Sequence, residues 1–105
     1  MSNMSPIFAA LSDPKRLEIV ETLMRQGETP AGSIAEMFDI SGPAISRHLS
    51  VLHDAGLVHR RIAGKQRMYS VRPDAIQKVS DWTLDHYAFW DVSLDRIAAA
   101  LEEDT

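Results

Sequence analysis

From residue 74 to residue 103 the chain contains neither glycine nor proline. No other stretch limits the possible folds so strongly. Ile76, Val79, Thr83, Tyr87, Trp90, Leu94, Ile97 and Leu101 recur at the three- and four-residue steps of a heptad-like helical stripe. Trp82, His86 and Phe89 form a second stripe beside it. A helix of about 30 residues is ~45 Å long, longer than a domain of this size is wide. One small body cannot cover both stripes over that length. A partner helix would bury the remainder, since exposed large aromatics usually mean an interface. The alternative is two shorter helices folded back on one core.

The rest of the chain must supply that body. Its 105 residues fit a single domain, and 45% hydrophobic content excludes a disordered chain. No segment has the roughly 18 consecutive apolar residues of a membrane span. The first seven residues lack the basic and apolar regions of a signal peptide. There is no cysteine, so disulfides, zinc fingers and thiol redox sensing are excluded. A cytoplasmic setting is the default expectation. Neither internal repeats nor low-complexity segments are present.

Periodicity divides residues 1–72 into six elements. Met4, Ile7, Phe8 and Leu11 mark a short amphipathic helix. Asp13-Pro14 is a cap followed by proline at a first helical position, and Leu17, Val20, Leu23 and Met24 mark the helix that follows, stopped near Gly27. Thr29-Pro30 repeats the start signal before Ile34, Ala35 and Phe38. The run 40–58 reads as a turn, a fourth helix from Ser41 to Ala55, a glycine stop and the start of a strand. There Ile45, Leu49 and Leu52 make one buried stripe, Ser41 is the N-cap, Pro43 sits in the first turn, and Gly56 is the stop. Two strand-like runs, 57–62 and 67–72, flank Ala63-Gly64-Lys65-Gln66 and predict a β-hairpin with a basic tip. Pro73 ends the second strand and can open the long helix. The fold class is mainly α with a small β-hairpin, in the order α-α-α-α-β-β-α. This is a winged helix-turn-helix, built from the third and fourth helices and a two-stranded wing.

The fourth helix points to a partner. Ser46, Arg47 and Ser50 lie opposite its apolar stripe, and small hydroxyls with one arginine suit a DNA major groove. Net charge is −4, yet its distribution is uneven. Residues 44–72 carry +5, residues 1–43 carry −3 and residues 73–105 carry −6. Local field decides where a polyanion docks. Lys65 and Arg67, beside the Gly64 bend, are placed to contact phosphate or enter the minor groove. Arg60 and Arg61 alternate across a strand, so only one faces DNA. His48 lies next to the core stripe and packs locally. Tyr69 and Val71 share a strand face and anchor the wing. No catalytic constellation is present: Ser46 and His48 face different directions, and no glycine-rich phosphate loop follows a strand. The chain is not expected to be an enzyme. A winged helix used only for protein interaction is the alternative; it has no need to gather charge on helix and wing together.

Three segments resemble the ArsR/SmtB family of bacterial winged-helix repressors. They are Leu11-Ser-Asp-Pro-Lys-Arg-Leu-Glu-Ile-Val20, Ile45-Ser-Arg-His-Leu-Ser-Val-Leu-His-Asp-Ala-Gly-Leu-Val58 and Gly64-Lys-Gln-Arg-Met-Tyr-Ser-Val71. The resemblance covers residues 5–72 closely and the last helix loosely. It implies a homodimeric regulator that binds double-stranded operator DNA and releases it when an inducer binds. The groove-facing set would be Gly42, Pro43, Ser46, Arg47 and Ser50, joined by Arg61, Lys65, Gln66 and Arg67 of the wing. Dimerisation helices would lie at about 5–11 and 74–103, through Met4, Ile7, Phe8, Leu11, Tyr87, Trp90, Leu94, Ile97 and Leu101. Two departures matter. Family members often carry glutamine where this chain has Gly42, which removes one base-edge hydrogen bond. Many sense metals through cysteines on the third helix, and residues 29–34 have none. Asp85 and His86 are adjacent and point to different faces, so they do not form the helical metal pair of other members. No metal and no cofactor is expected. Trp82, His86 and Phe89 are the candidate site for a small-molecule inducer.

Overall fold

The computed structural model describes residues 3–103. Its elements are α1 (Ser5–Leu11), α2 (Pro14–Gln26), β1 (Thr29–Pro30), α3 (Ala31–Phe38), α4 (Gly42–Asp54), β2 (Val58–Ala63), β3 (Gln66–Val71) and α5 (Pro73–Glu103). Their ends follow local chemistry. Asp13 caps α2 by accepting from the Lys15 and Arg16 amides at 2.8 and 3.1 Å. That hydrogen bonding, led by Arg16, holds its carboxyl below the ordinary value. Arg16 Nε in turn donates to the Ala10 carbonyl at 2.7 Å, which satisfies an open carbonyl at the end of α1.

Thr29-Pro30 is a correction. The pair forms a two-residue strand instead of a helix start, and α3 begins at Ala31 with no side-chain cap. Thr29 Oγ1 donates to the Gly27 carbonyl at 2.9 Å, so its hydroxyl is not available to cap a helix. β1 pairs antiparallel with β3, Thr29 opposite Tyr69 and Pro30 opposite Met68. The sheet order is β1-β3-β2, so the expected hairpin is the larger part of a three-stranded sheet.

The core joins Ile19, Val20 and Leu23 of α2 to Ile34 of α3 and to Ile45, Leu49 and Leu52 of α4. Leu57, Val58 and Tyr69 close it from the sheet side. On α2 the buried face differs from the expected stripe: Ile19 is inside, while Leu17 and Met24 are exposed. The helix packs against α1, α4 and β3 together, and the side those elements define runs through Ile19.

α5 is one helix of 31 residues; two shorter helices do not form. Among its described residues Ala75 alone is buried, and Val79 and Trp82 rest half-buried on the core. Beyond Trp82 the helix leaves the body. The molecule measures 64 × 30 × 21 Å, with a radius of gyration of 18.1 Å. A compact chain of this length would have about 13 Å. A single residue, Arg72, separates β3 from α5. Its amide donates to the Leu57 carbonyl at 2.9 Å, and its guanidinium pairs with Asp74 at 3.2 Å.

Candidate nucleic-acid interface

α4 is fixed at both ends. Ser41 Oγ accepts from the Ala44 amide at 3.2 Å, as expected of an N-cap. At the other end the Gly56 amide donates to the His53 carbonyl and the Leu57 amide to the Leu52 carbonyl, both at 3.0 Å. This pair of bonds is the Schellman motif, which needs the left-handed φ of 79° that Gly56 supplies. Leu49 and Leu52 are fully buried beneath the helix. Their burial turns Gly42, Pro43, Ser46, Arg47 and Ser50 to solvent, all on exposed positions. His48 is half-buried, in line with local packing.

The wing is equally determined. Ala63 pairs with Gln66, so only Gly64 and Lys65 form the turn. Gly64 has φ of 62°, and a positive φ at the first of two turn residues is the geometry of a type II′ hairpin. Tyr69 is only 3% exposed and Val71 packs against the core, so this strand face anchors the wing as expected. Lys65, Gln66 and Arg67 are exposed at and beside the tip. With Pro30, Ala31, Gly32, Ser33 and Glu36 they line a cleft of about 420 Å³ between the wing and the start of α3.

The register separates the two arginines of β2. Arg60 lies opposite Tyr69, and Arg61 opposite Met68 on the other face. Arg61, assigned above to the DNA-facing set, is already engaged. Its Nε and Nη2 donate to the two Glu28 carboxylate oxygens at 2.8 and 2.6 Å. This double hydrogen bond holds the Glu28 carboxyl below its ordinary value and raises Arg61. Sequence reasoning missed Glu28, because the strand that brings it under the wing was itself read as a helix start.

The expected dimer residues divide into two groups. Met4 and Ile7 are buried in the core of the chain itself and cannot face a partner. This corrects their assignment: α1 is short, and its apolar side closes the body. Leu11 is half-buried against the same core, while Phe8 remains 38% exposed and meets Trp82 edge-on at 5.1 Å. Tyr87, Trp90, Leu94, Ile97 and Leu101 are 54 to 64% exposed along α5. Of the candidate inducer residues, Trp82 and His86 stack at 4.5 Å, and His86 Nδ1 donates to the Trp82 carbonyl at 2.7 Å. Phe89 does not join them; it packs against Trp90 at 5.3 Å. A different groove, about 520 Å³, opens between the end of α2 and the start of α5, lined by Leu23, Met24, Val71 and Ile76 among others. The sequence held no signal for it, since its walls come from three separate elements.

Known proteins share this fold. A family model described as "Bacterial regulatory protein, arsR family" matches residues 13–60. The transcriptional repressor SdpR of Bacillus subtilis is 38% identical over 82 residues, covering 78% of this chain and 90% of that protein. The chain belongs to the ArsR family. Its fold is the winged helix-turn-helix seen in solved ArsR-family regulators. An ArsR-like transcriptional regulator from Rhodococcus sp. RHA1 superposes with a TM-score of 0.74 at 33% identity, covering 90% of this chain and 88% of that one. A winged helix-turn-helix DNA-binding domain from Mycobacterium bovis, described as homodimeric, superposes with a TM-score of 0.66 at 26% identity, covering 79% of each chain. ArsR members of this kind are named as transcriptional regulators and repressors. No helix of this chain is long and apolar enough to cross a membrane among the described residues.

Proposed function

We propose that this ArsR-family chain is a homodimeric, sequence-specific transcriptional repressor that binds double-stranded operator DNA and leaves it in response to a non-metal signal. The exposed Ser46, Arg47 and Ser50 on a helix locked at both ends carry this reading. Ser46 and Ser50 are short enough to let α4 approach a groove floor, and Arg47 is long enough to reach guanine O6 and N7. Gly42 and Pro43 add closeness of approach with no hydrogen-bonding side chain. Lys65, Gln66 and Arg67 then meet the flanking phosphates or minor groove.

The described residues form one domain, with its dimer seam centred on the long helix. Phe8 and the exposed residues of α5 supply the seam, and the homodimeric relative from Mycobacterium bovis supports it. Two copies would set their recognition helices in successive major grooves about 34 Å apart, so the operator is an imperfect palindrome. The signal is a small molecule received near the Trp82–His86 stack, and the protein works in the cytoplasm, where bacterial operators lie. Titration of promoter DNA at several salt concentrations tests the reading. Affinity should fall steeply as salt rises, because phosphate contacts release counterions. Affinity that is indifferent to salt would sink it. A tryptophan emission that stays constant through an inducer screen would remove the Trp82 site alone.

A further inference from the structure

We propose that Arg61 and Glu28 form a strap that sets the tilt of the wing relative to α3 and α4. Arg61 is then a positioning residue for DNA binding and not a DNA contact. The inference rests on the DNA-binding reading and deepens it.

The sheet's own ladder is short on the β1 side. β2 is an edge strand, and β1 meets β3 through two residue pairs, one of them at Pro30, which has no N–H to donate. Arg61 reaches from β2 across β3 to Glu28, the residue just before β1, and holds both carboxylate oxygens. Tyr69 grips the opposite face of the sheet. The hairpin is therefore held from both faces at its middle. The end of β2 at Ala63 lies two residues beyond Arg61, about 7 Å along the strand, and Gly64 and Lys65 turn there, so a tilt at the strap displaces the tip. β1 runs directly into α3 at Ala31. The strap thus refers the wing to the helix-turn-helix and presents two DNA-contacting parts at a fixed separation, which lowers the ordering cost of binding. Exposed ion pairs are usually worth little, but the bidentate arginine–carboxylate geometry is the exception.

The experiment compares salt-dependent DNA binding of the full chain with Glu28→Gln, Arg61→Gln, the double variant, and the reversed pair Glu28→Arg with Arg61→Glu. The strap predicts that both single variants and the double variant weaken binding equally, by about three- to tenfold, with the salt slope unchanged. The reversed pair should recover most of the loss. If Arg61→Gln lowers the slope by about 0.9 while Glu28→Gln binds as well as the parent or tighter, Arg61 is a phosphate contact and the strap is wrong. Parent-like binding by every variant would equally overturn it. Circular dichroism reports folding, and a folded reversed pair that fails to recover affinity also counts against the strap. A parent protein whose binding ignores salt overturns the DNA-binding reading itself, and the strap with it.

Discussion

α4 and the outer half of α5 use similar apolar side chains to opposite ends. On α4, Ile45, Leu49 and Leu52 are buried under the helix, and apart from Val51 what remains outside is small, polar or charged. On α5, Leu84, Tyr87, Phe89, Trp90, Leu94, Ile97 and Leu101 all stand in solvent. The first helix is finished within one chain, and the second is not. A soluble monomer rarely exposes so continuous an apolar surface, so the contrast separates a surface shaped to meet a polar partner from one shaped to meet another apolar face.

The contrast can be broken from either side. Leu49→Ala should destabilise the folded chain by about 2–5 kcal/mol, because it empties a fully buried site; thermal melting measures this. Trp90→Ala should leave the body folded yet raise the dimer dissociation constant by roughly 30-fold or more, as read by sedimentation. An unchanged dimer would mean that the seam lies elsewhere. Arg47→Ala sharpens the other half of the comparison: specific binding should weaken by about 1–3 kcal/mol, more than nonspecific binding. Equal losses on both would make Arg47 a phosphate contact. Ser41→Ala, removing the cap of α4, should cost about 1 kcal/mol of stability in a melt. The smallest effect is acidic. Asp13, Glu28 and Asp74 are held below their ordinary values of 3.8, 4.5 and 3.8 by hydrogen bonds from Arg16, Arg61 and Arg72. Their folded forms bind protons less readily than their unfolded forms. Their contribution is therefore full above about pH 5 and is lost as pH falls through the depressed values. A melting temperature that declines slightly below pH 4.5, less so in Glu28→Gln, is the expected result.

Much of this was legible in local chemistry. Asp13, Ser41 and Gly56 carry their signals within one helical turn, so caps and stops were readable from neighbours alone. The exposed face of α4 followed from its period, and the long helix from an unbroken run without breakers. Whatever depended on distant pairing was hidden. Thr29 looks like a cap until Tyr69 pairs with it. Glu28 looks like an ordinary surface acid until the sheet brings Arg61 within reach. Met4 and Ile7 have the pattern of an interface helix, and only the assembled body shows that their partners are in the same chain.

The junction at Arg72 gives the molecule its mechanics. One residue joins wing to long helix, and its amide, its guanidinium and the proline that follows leave no slack there. α5 is a rod about 46 Å long whose first turns rest on the core, so a rotation of the body of roughly 10° carries its far end through ~8 Å. The gearing also runs in reverse. Whatever grips the end of the rod holds the body through a long lever arm, and a modest push there becomes a firm, short displacement beside the wing.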